Sequence, residues 1–419
     1  MDEKFVHSVT LDQELCRGCT NCVKRCPTEA IRVRDGKAAI TKERCIDCSE
    51  CIRVCPHHAK KAVVDSLESI RGFKHVIALP APSLYGQFRG VSDINTILTA
   101  LTRIGFDEVF EVALAADAVS AQTVRLMNSG ALKKPAISSA CPAVLRIIRV
   151  RFPGLIPYIV NIRAPMEFAA IWARNRAIEK TGLAGEDIGC IFISPCPAKI
   201  TSVHAPLISQ KHAVNAAVSM ADIYPLLLPV IKDIEPQTLA EAGSIGIGWA
   251  TSGGECIGVR RPDYLAADGI EHVIKVLEAL EDEKITDVDF VELNACVGGC
   301  VGGVLTIESP FIAKGRIKRL TDRHESSLAD NIPTDDIMWD TGLTYEPVMR
   351  LDDDIQAAMA KLERIRGLEE SFNGMDCGAC GAPSCRAMAE DIVNGSASED
   401  MCIYRMRERL QSLLAEGSE

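Results

Sequence analysis

Cys16, Cys19, Cys22 and Cys26 are followed by Pro27, and Cys45, Cys48, Cys51 and Cys55 are followed by Pro56. Each run reads C-x2-C-x2-C-x3-C-P, so the two form a short internal repeat. Three closely spaced thiolates wrap one iron–sulfur cube, and the proline turns the chain toward a second cube. The pattern assigns Cys16, Cys19, Cys22 and Cys55 to one [4Fe–4S] cluster, and Cys45, Cys48, Cys51 and Cys26 to the other. Tetrahedral zinc uses two close pairs and would not explain two identical runs with trailing prolines. Two cubes so held lie within tunnelling reach and make a wire. His57 and His58 follow the second run and read as solvated loop residues rather than ligands.

Cys377, Cys380, Cys385 and Cys402 form C-x2-C-x4-C-x16-C near the other end. Gly378, Gly381 and Pro383 suit a tight loop close to a cluster. The spacing predicts a short helix over Cys385–Val393, stopped by Gly395. This stretch resembles the small [4Fe–4S] module of electron-transfer subunits in membrane redox complexes and of corrinoid iron–sulfur proteins; a zinc knuckle is the alternative. Ile355, Met359, Leu362 and Ile365 recur at helical spacing, which predicts a connecting helix over Asp352–Arg366.

Between these ends, residues of about 70 to 325 alternate short apolar strands with helical stretches. Predicted strands are His75–Leu79, Glu108–Val112, Ala136–Ser139, Gly189–Ile193 and Ser244–Trp249; predicted helices include Ile94–Ile104 and Ala116–Met127. Such alternation predicts an α/β domain with a largely parallel sheet, whose ligands sit at strand C-termini. The expected organisation is a two-cluster ferredoxin (α+β) domain over 1–68, a catalytic α/β domain over 69–335, a linker with a helix over 336–366 and a C-terminal iron–sulfur module over 367–419. Cys141 and Cys196 each follow a predicted strand, and Cys296 and Cys300 lie in the glycine-rich stretch Glu292 to Gly303. Four thiolates from separate loops can converge on one buried cluster, with Gly298, Gly299, Gly302 and Gly303 letting backbone approach it closely.

Here the chain resembles the [FeFe]-hydrogenase family. That family's three cluster-binding segments read roughly T-S-C-C-P, M-P-C-x-x-K and E-x-M-A-C-x-x-G-C-x-x-G-G. Ser138-Ser139-Ala140-Cys141-Pro142, Ser194-Pro195-Cys196-Pro197-Ala198-Lys199 and the stretch from Glu292 to Gly303 match them in order. The resemblance implies an H-cluster: a [4Fe–4S] cube on Cys141, Cys196, Cys296 and Cys300, with Cys300 bridging to a diiron unit that carries CO, cyanide and an azadithiolate. It implies that Lys199 hydrogen-bonds a cyanide, that Ala81-Pro82-Ser83 makes the other cyanide-side contact, and that three accessory [4Fe–4S] clusters carry electrons. The alternative for Lys199 is an ordinary surface lysine.

The departures are chemical. Ala140 stands where fast family members have a proton-passing cysteine, and alanine moves no proton. Gln122 and Thr123 stand where an acidic relay is expected, and Ser194 and Asn294 replace methionines. With the extra C-terminal cluster, this pattern resembles the slow, sensory branch of the family. The loop Thr251-Ser252-Gly253-Gly254-Glu255-Cys256 brings a carboxylate and a thiol together, and Glu255 with Cys256 is a candidate alternative proton path. Cys256 as an inert buried thiol is the competing view. Cys190, in an apolar strand, reads as core packing.

The expected function is therefore slow, reversible H2 oxidation and proton reduction at an H-cluster, serving as a hydrogen or redox sensor. The alternative is a hydrogenase-like assembly or electron-transfer protein without the diiron site. Expected partners are H2 and protons, a ferredoxin-type redox protein, a signalling kinase or phosphatase, and maturation enzymes. The formal charge of −11 argues against nucleic acid and anionic membranes. No signal peptide, apolar span, G-x-G-x-x-G or P-loop pattern is visible, which points to a cytoplasmic protein without nucleotide chemistry.

Overall fold

The structure is a computed structural model that describes residues 7–209, 212–325 and 336–416. It divides into two compact units. One holds the segment ending at Ser8, Ile46–Ser49 and Val63–Tyr345; the other holds Val9–Cys45, Glu50–Ala62 and the chain from Glu346 onward.

The strands in chain order are β1 (Val9–Leu11), β2 (Ile31–Arg34), β3 (Lys37–Ile40), β4 (Lys60–Ala62), β5 (His75–Pro80), β6 (Glu108–Val109), β7 (Ala136–Ile137), β8 (Ile188–Ser194), β9 (Ala216–Ser219), β10 (Tyr264–Asp268) and β11 (Phe290–Asn294). In the larger unit β6-β5-β8-β9 form one sheet and β10-β11-β7 another, all pairs parallel. β5 and β8 are near-continuous apolar runs, and every residue of β8 is buried. Such runs suit parallel strands covered on both faces by helices. Each sheet has its own core: Leu79, Phe192 and Phe168 pack around the first, and Ile137, Ile147, Val291 and Leu277 around the second. Cys190 is fully buried in β8, its thiol pushed up to about 11 by burial.

Three predicted strands differ, and of these Ala136–Ser139 is extended only over Ala136–Ile137. Glu108–Val112 is extended only to Val109, because the helix Val112–Ser129 begins at its end. Ser244–Trp249 is not a strand but the helix Ser244–Gly248. The buried Asp117 carboxylate accepts the Gly243 and Gly246 N–H groups, each at 2.7 Å, and winds the segment into a turn. An added Cβ at Gly246 would lie 1.9 Å from the Ala113 carbonyl oxygen, so glycine permits this close helix contact. The loop Thr251 to Cys256 thus follows a helix, not a strand, and leads into the helix Gly254–Val259.

In the second unit β1 pairs antiparallel with β4, and β2 with β3. Short helices Asn21–Lys24 and Glu50–Arg53 carry Cys22 and Cys51 into a small core. The predicted connecting helix runs over Ile355–Ser371, capped by the Asp354 carboxylate, which accepts the Ala357 N–H. Its Ile365, with Phe372 beyond its end, packs against Ala387 and Met388 of the helix Cys385–Val393. The C-terminal loop rests on β2: Val33 N–H donates to the Gly381 carbonyl at 2.9 Å, and Arg32 and Arg34 share Asp391.

Candidate metal centres

The central site is built on strand ends. Cys141 follows β7 and is the residue before the helix Pro142–Arg151; Cys196 follows β8 and precedes the helix Pro197–His204. Cys296 and Cys300 follow β11. Proline at the first position starts both helices, where its missing N–H costs nothing. The glycines close the loops on one another. A Cβ at Gly299 would lie 2.4 Å from the Ser252 nitrogen, and one at Gly303 2.1 Å from the Pro195 carbonyl oxygen.

Lys199 lies in the first turn of its helix and is half-buried. Its ammonium donates to Cys300 Sγ at 3.7 Å. Burial opposes its charge, but Cys300, Cys196, Cys141 and Cys296 together hold the ammonium well above its ordinary range. One half-buried cation therefore senses all four sulfurs. Burial pushes the Cys196 thiol up to about 11, while Lys199 pulls it down. Soft sulfur donors that ionise only beside positive charge are suited to a metal cluster.

A pocket of about 550 Å³ opens beside these sulfurs, lined by Ala81, Pro82, Ala140, Lys199, Glu255, Glu292, Asn294 and Cys300, with Met166, Phe192 and Trp249 among its apolar walls. Ala81 and Pro82 thus reach it. Ser83 does not: it is fully buried, with its hydroxyl toward Met220 Sδ. Gln122 and Thr123 stay outside, on the helix Val112–Ser129; Thr123 Oγ1 donates back to the Val119 carbonyl. Ser194 donates to the Cys196 carbonyl and steadies the loop, and Asn294 donates to Glu292.

Glu255 enters the pocket, and Ser138 Oγ donates to its Oε2 at 2.5 Å. The same hydroxyl accepts the Ala140 N–H at 3.2 Å. Burial first, then the Glu292 charge, push the Glu255 carboxyl up to about 8. Glu292 differs in its partners: its carboxylate accepts N–H groups of Gly253, Cys256 and Asn294 at 2.7–3.0 Å. Burial raises the Glu292 carboxyl too, but its N–H partners favour its charge, so the pair in unequal surroundings leaves Glu255 as the better proton holder. Cys256 is not in the pocket lining. Its Sγ lies in the core toward the Leu265 carbonyl, and burial with the two glutamates raises its thiol far above the ordinary range. Its backbone N–H donates to Glu292 at 3.0 Å, and its thiol bonds the same carboxylate from outside the pocket. Sequence reasoning quoted Ser138 and Glu292 inside motifs but missed what they do, since their partner Glu255 is 117 and 37 residues away along the chain.

In the second unit Cys22 senses Cys19, Cys55 and Cys16, so these four candidate ligands, drawn from both runs, lie near one another. Ala30 N–H donates to Cys26 Sγ at 3.2 Å and Ala59 N–H to Cys55 Sγ at 3.3 Å, the same bond in each half of the repeat. Cys377, Cys380, Cys385 and Cys402 line one pocket of about 390 Å³ with Phe372, Met375 and Ile403. In the larger unit, Cys48 packs against the same core as Cys141 and Cys196. His57 and His58 are exposed.

Residues 74–259 and 252–304 match the family described as iron only hydrogenase large subunit, C-terminal domain. The chain belongs to the [FeFe]-hydrogenase family. The other modules of this hydrogenase-family protein match too: a 4Fe-4S dicluster domain covers residues 8–56, and a family described as an Fe-S cluster covers 373–404. Iron–sulfur cofactors follow. The periplasmic [Fe] hydrogenase large subunit of Nitratidesulfovibrio vulgaris is 29% identical over 217 residues, 47% of this chain and 52% of that protein. Subunit HndD of an NADP-reducing hydrogenase of Solidesulfovibrio fructosivorans is 24% identical over 357 residues, 70% of this chain and 56% of that one. The chain spans about half the length of the curated relatives it matches. A solved variant of the [FeFe]-hydrogenase HydA1 from Chlamydomonas reinhardtii shares the fold, with a TM-score of 0.52 at 16% identity over 66% of this chain and 95% of that one. Among the described residues, no helix is long and apolar enough to cross a membrane.

Proposed function

We propose that this chain catalyses slow, reversible interconversion of H2 with two protons and two electrons, and that it reports hydrogen or redox state to a partner. The observation that carries the reading is the half-buried Lys199 ammonium facing four convergent cysteines beside a largely apolar pocket. Cys141, Cys196, Cys296 and Cys300 would hold the cube of an H-cluster, Cys300 bridging to its diiron unit, and Lys199, Ala81 and Pro82 would face that unit's ligands. When bound, the H-cluster supplies the metal that splits or forms H2 and the bridging amine that takes the proton.

The chain's own residues do the rest. Lys199 neutralises thiolate charge and fixes whatever anionic ligand enters the pocket. The apolar walls Met166, Phe192 and Trp249 limit water. Glu255 holds a proton near neutral pH and passes it by way of Ser138, replacing the thiol that Ala140 cannot supply. Glu292 anchors the Gly253–Cys256 loop so that Glu255 keeps its place. Cysteines 16, 19, 22 and 55, then 26, 45, 48 and 51, and finally 377, 380, 385 and 402 would hold three accessory cubes that lead electrons to a redox partner. The missing relay thiol is what favours slow turnover and a sensory role, with a signalling protein as recipient. Cysteine usage favours a cytoplasmic setting.

Infrared spectroscopy of protein treated with the maturation enzymes tests the assignment. CO and cyanide stretches that change under H2 are expected. Their absence from protein whose cubes are all loaded would replace hydrogen chemistry with electron transfer alone.

A further inference from the structure

We propose that Lys60 raises the reduction potential of one ferredoxin cube, the one assigned to Cys16, Cys19, Cys22 and Cys55, and so makes it the electron trap of the wire. The inference rests on that ligand assignment.

The two halves of the cysteine repeat invite comparison. In each, the second residue after the Cys-Pro pair is followed by an alanine whose N–H bonds the fourth cysteine's sulfur, Ala30 to Cys26 and Ala59 to Cys55. The next residue starts a strand in both halves. It is Ile31 at the head of β2 and Lys60 at the head of β4. Both are buried, at 2% and 3% exposure. An otherwise repeated scaffold thus has an apolar side chain at one position and an ammonium at its counterpart.

Lys60 is placed against the first cube's ligands. Its charge acts on both Cys22 and Cys55, one from each run, and its backbone N–H bonds Cys55. Its Nζ is buried and has no hydrogen-bond partner among the described residues. A buried ammonium without an anion is costly, by several kcal/mol. The anion that suits this ammonium is the cube itself. A cube with four thiolates is anionic and gains one further negative charge on reduction. A fixed cation in a low-dielectric surround therefore favours the reduced form. Ile31 offers no such charge to the other half.

The position in the unit gives the trap a use. Cys22 lies on the helix Asn21–Lys24, and Lys24 Nζ donates to the Pro383 carbonyl of the C-terminal loop at 2.9 Å. Arg34 likewise donates to the Cys380 carbonyl at 2.7 Å. The cube beside Lys60 is thus the ferredoxin cube tied to the C-terminal module. Holding an electron there would keep the C-terminal cluster supplied.

The test is a redox titration followed by electron paramagnetic resonance on the full chain, loaded with its iron–sulfur clusters but not matured, so hydrogen turnover plays no part. Lys60→Gln and Lys60→Met are expected to weaken one cube's electron affinity at least tenfold, 59 mV for one electron, with the other cubes unmoved. Lys60→Arg keeps the charge and is expected to stay within twofold of wild type. A neutral variant that loads every cube and shifts none of them by more than twofold overturns the proposal. If neither neutral variant loads that cube, Lys60→Arg decides: an unmoved potential supports the role of the charge, and a tenfold drop overturns it. A wild-type chain lacking one of the two ferredoxin signals would instead refute the ligand assignment.

Discussion

Replacing Glu255 by glutamine keeps the side chain's shape and removes its proton. The carboxyl lies 2.5 Å from Ser138 Oγ, and that hydroxyl takes the Ala140 N–H at 3.2 Å, so two hydrogen bonds link Glu255 to the pocket position that lacks a thiol. Burial and the Glu292 charge push its pKa up to about 8. A group titrating there is about nine-tenths protonated at about pH 7. In the proposed reaction it would donate during proton reduction and, once ionised, accept during H2 oxidation. Groups in this role contribute roughly 10²- to 10⁴-fold. With Ala140 unable to share the task, Glu255→Gln is expected to lower H2 evolution about 100-fold, and Glu255→Asp by less. In the parent protein, evolution should fall and oxidation rise as pH climbs through about 8; glutamine flattens both profiles. Stability carries the same sign. The folded carboxyl holds its proton more tightly than the unfolded one, so stability declines from about pH 4.3, the unfolded value, to the folded value of about 8 and levels off above it. Gas chromatography of dye-driven H2 production, with thermal melts across that range, reads both effects. Wild-type turnover and an unmoved pH profile in matured Glu255→Gln, infrared bands intact, would refute the assignment.

Cys256→Ala should leave turnover and pH profile nearly unchanged, because the thiol lies outside the pocket lining and the Glu292 carboxylate keeps its N–H partners at Gly253, Cys256 and Asn294 when the thiol bond is lost; a tenfold loss of rate would return the thiol to the proton path. Lys199→Met removes the cation that four sulfurs share. Breaking a buried charge pair costs about 3–5 kcal/mol, so iron at the central site and the CO and cyanide bands should both be lost, as measured by metal analysis and infrared spectra. Gly381→Ala forces a side chain onto a φ of +80° with its Cβ 1.8 Å from the Val33 carbonyl oxygen. The backbone term alone is about 1–2 kcal/mol, and limited proteolysis should release the C-terminal module faster while the hydrogenase domain melts as before. Asp117→Ala leaves the Gly243 and Gly246 N–H groups buried without acceptors. At about 1–3 kcal/mol each, the midpoint of thermal unfolding should drop by several degrees, and an unchanged melt would refute the capping role.

Much of this protein was legible along the chain because its candidate ligands come in local sets. The ferredoxin repeat and the C-terminal four-cysteine run lie in loops a few residues long, and their spacing marks them as candidate cluster sites. The central cysteines were legible for a related reason. Each follows an apolar strand, and parallel sheets present their strand ends on one side. Strands β5 and β8 announced themselves as unbroken apolar runs, since both faces are covered.

What the sequence left open depended on partners far away. Ser244–Gly248 alternates glycine and isoleucine as a strand would, and only the distant Asp117 carboxylate turns it into a helix. Glu255 and Cys256 are neighbours on a short helix, where successive side chains point in different directions. Packing sent one into the pocket and the other into the core. Lys60 follows Ala59 in the repeat as any strand lysine might, and burial of its ammonium becomes visible only when β4 is laid against β1. Ligand spacing is a property of contiguous chain, whereas protonation and charge are set by whatever the fold brings within a few ångströms. The sequence by itself therefore determined which cysteines could share a metal, and the tertiary structure decided which carboxyl and which ammonium are buried beside them.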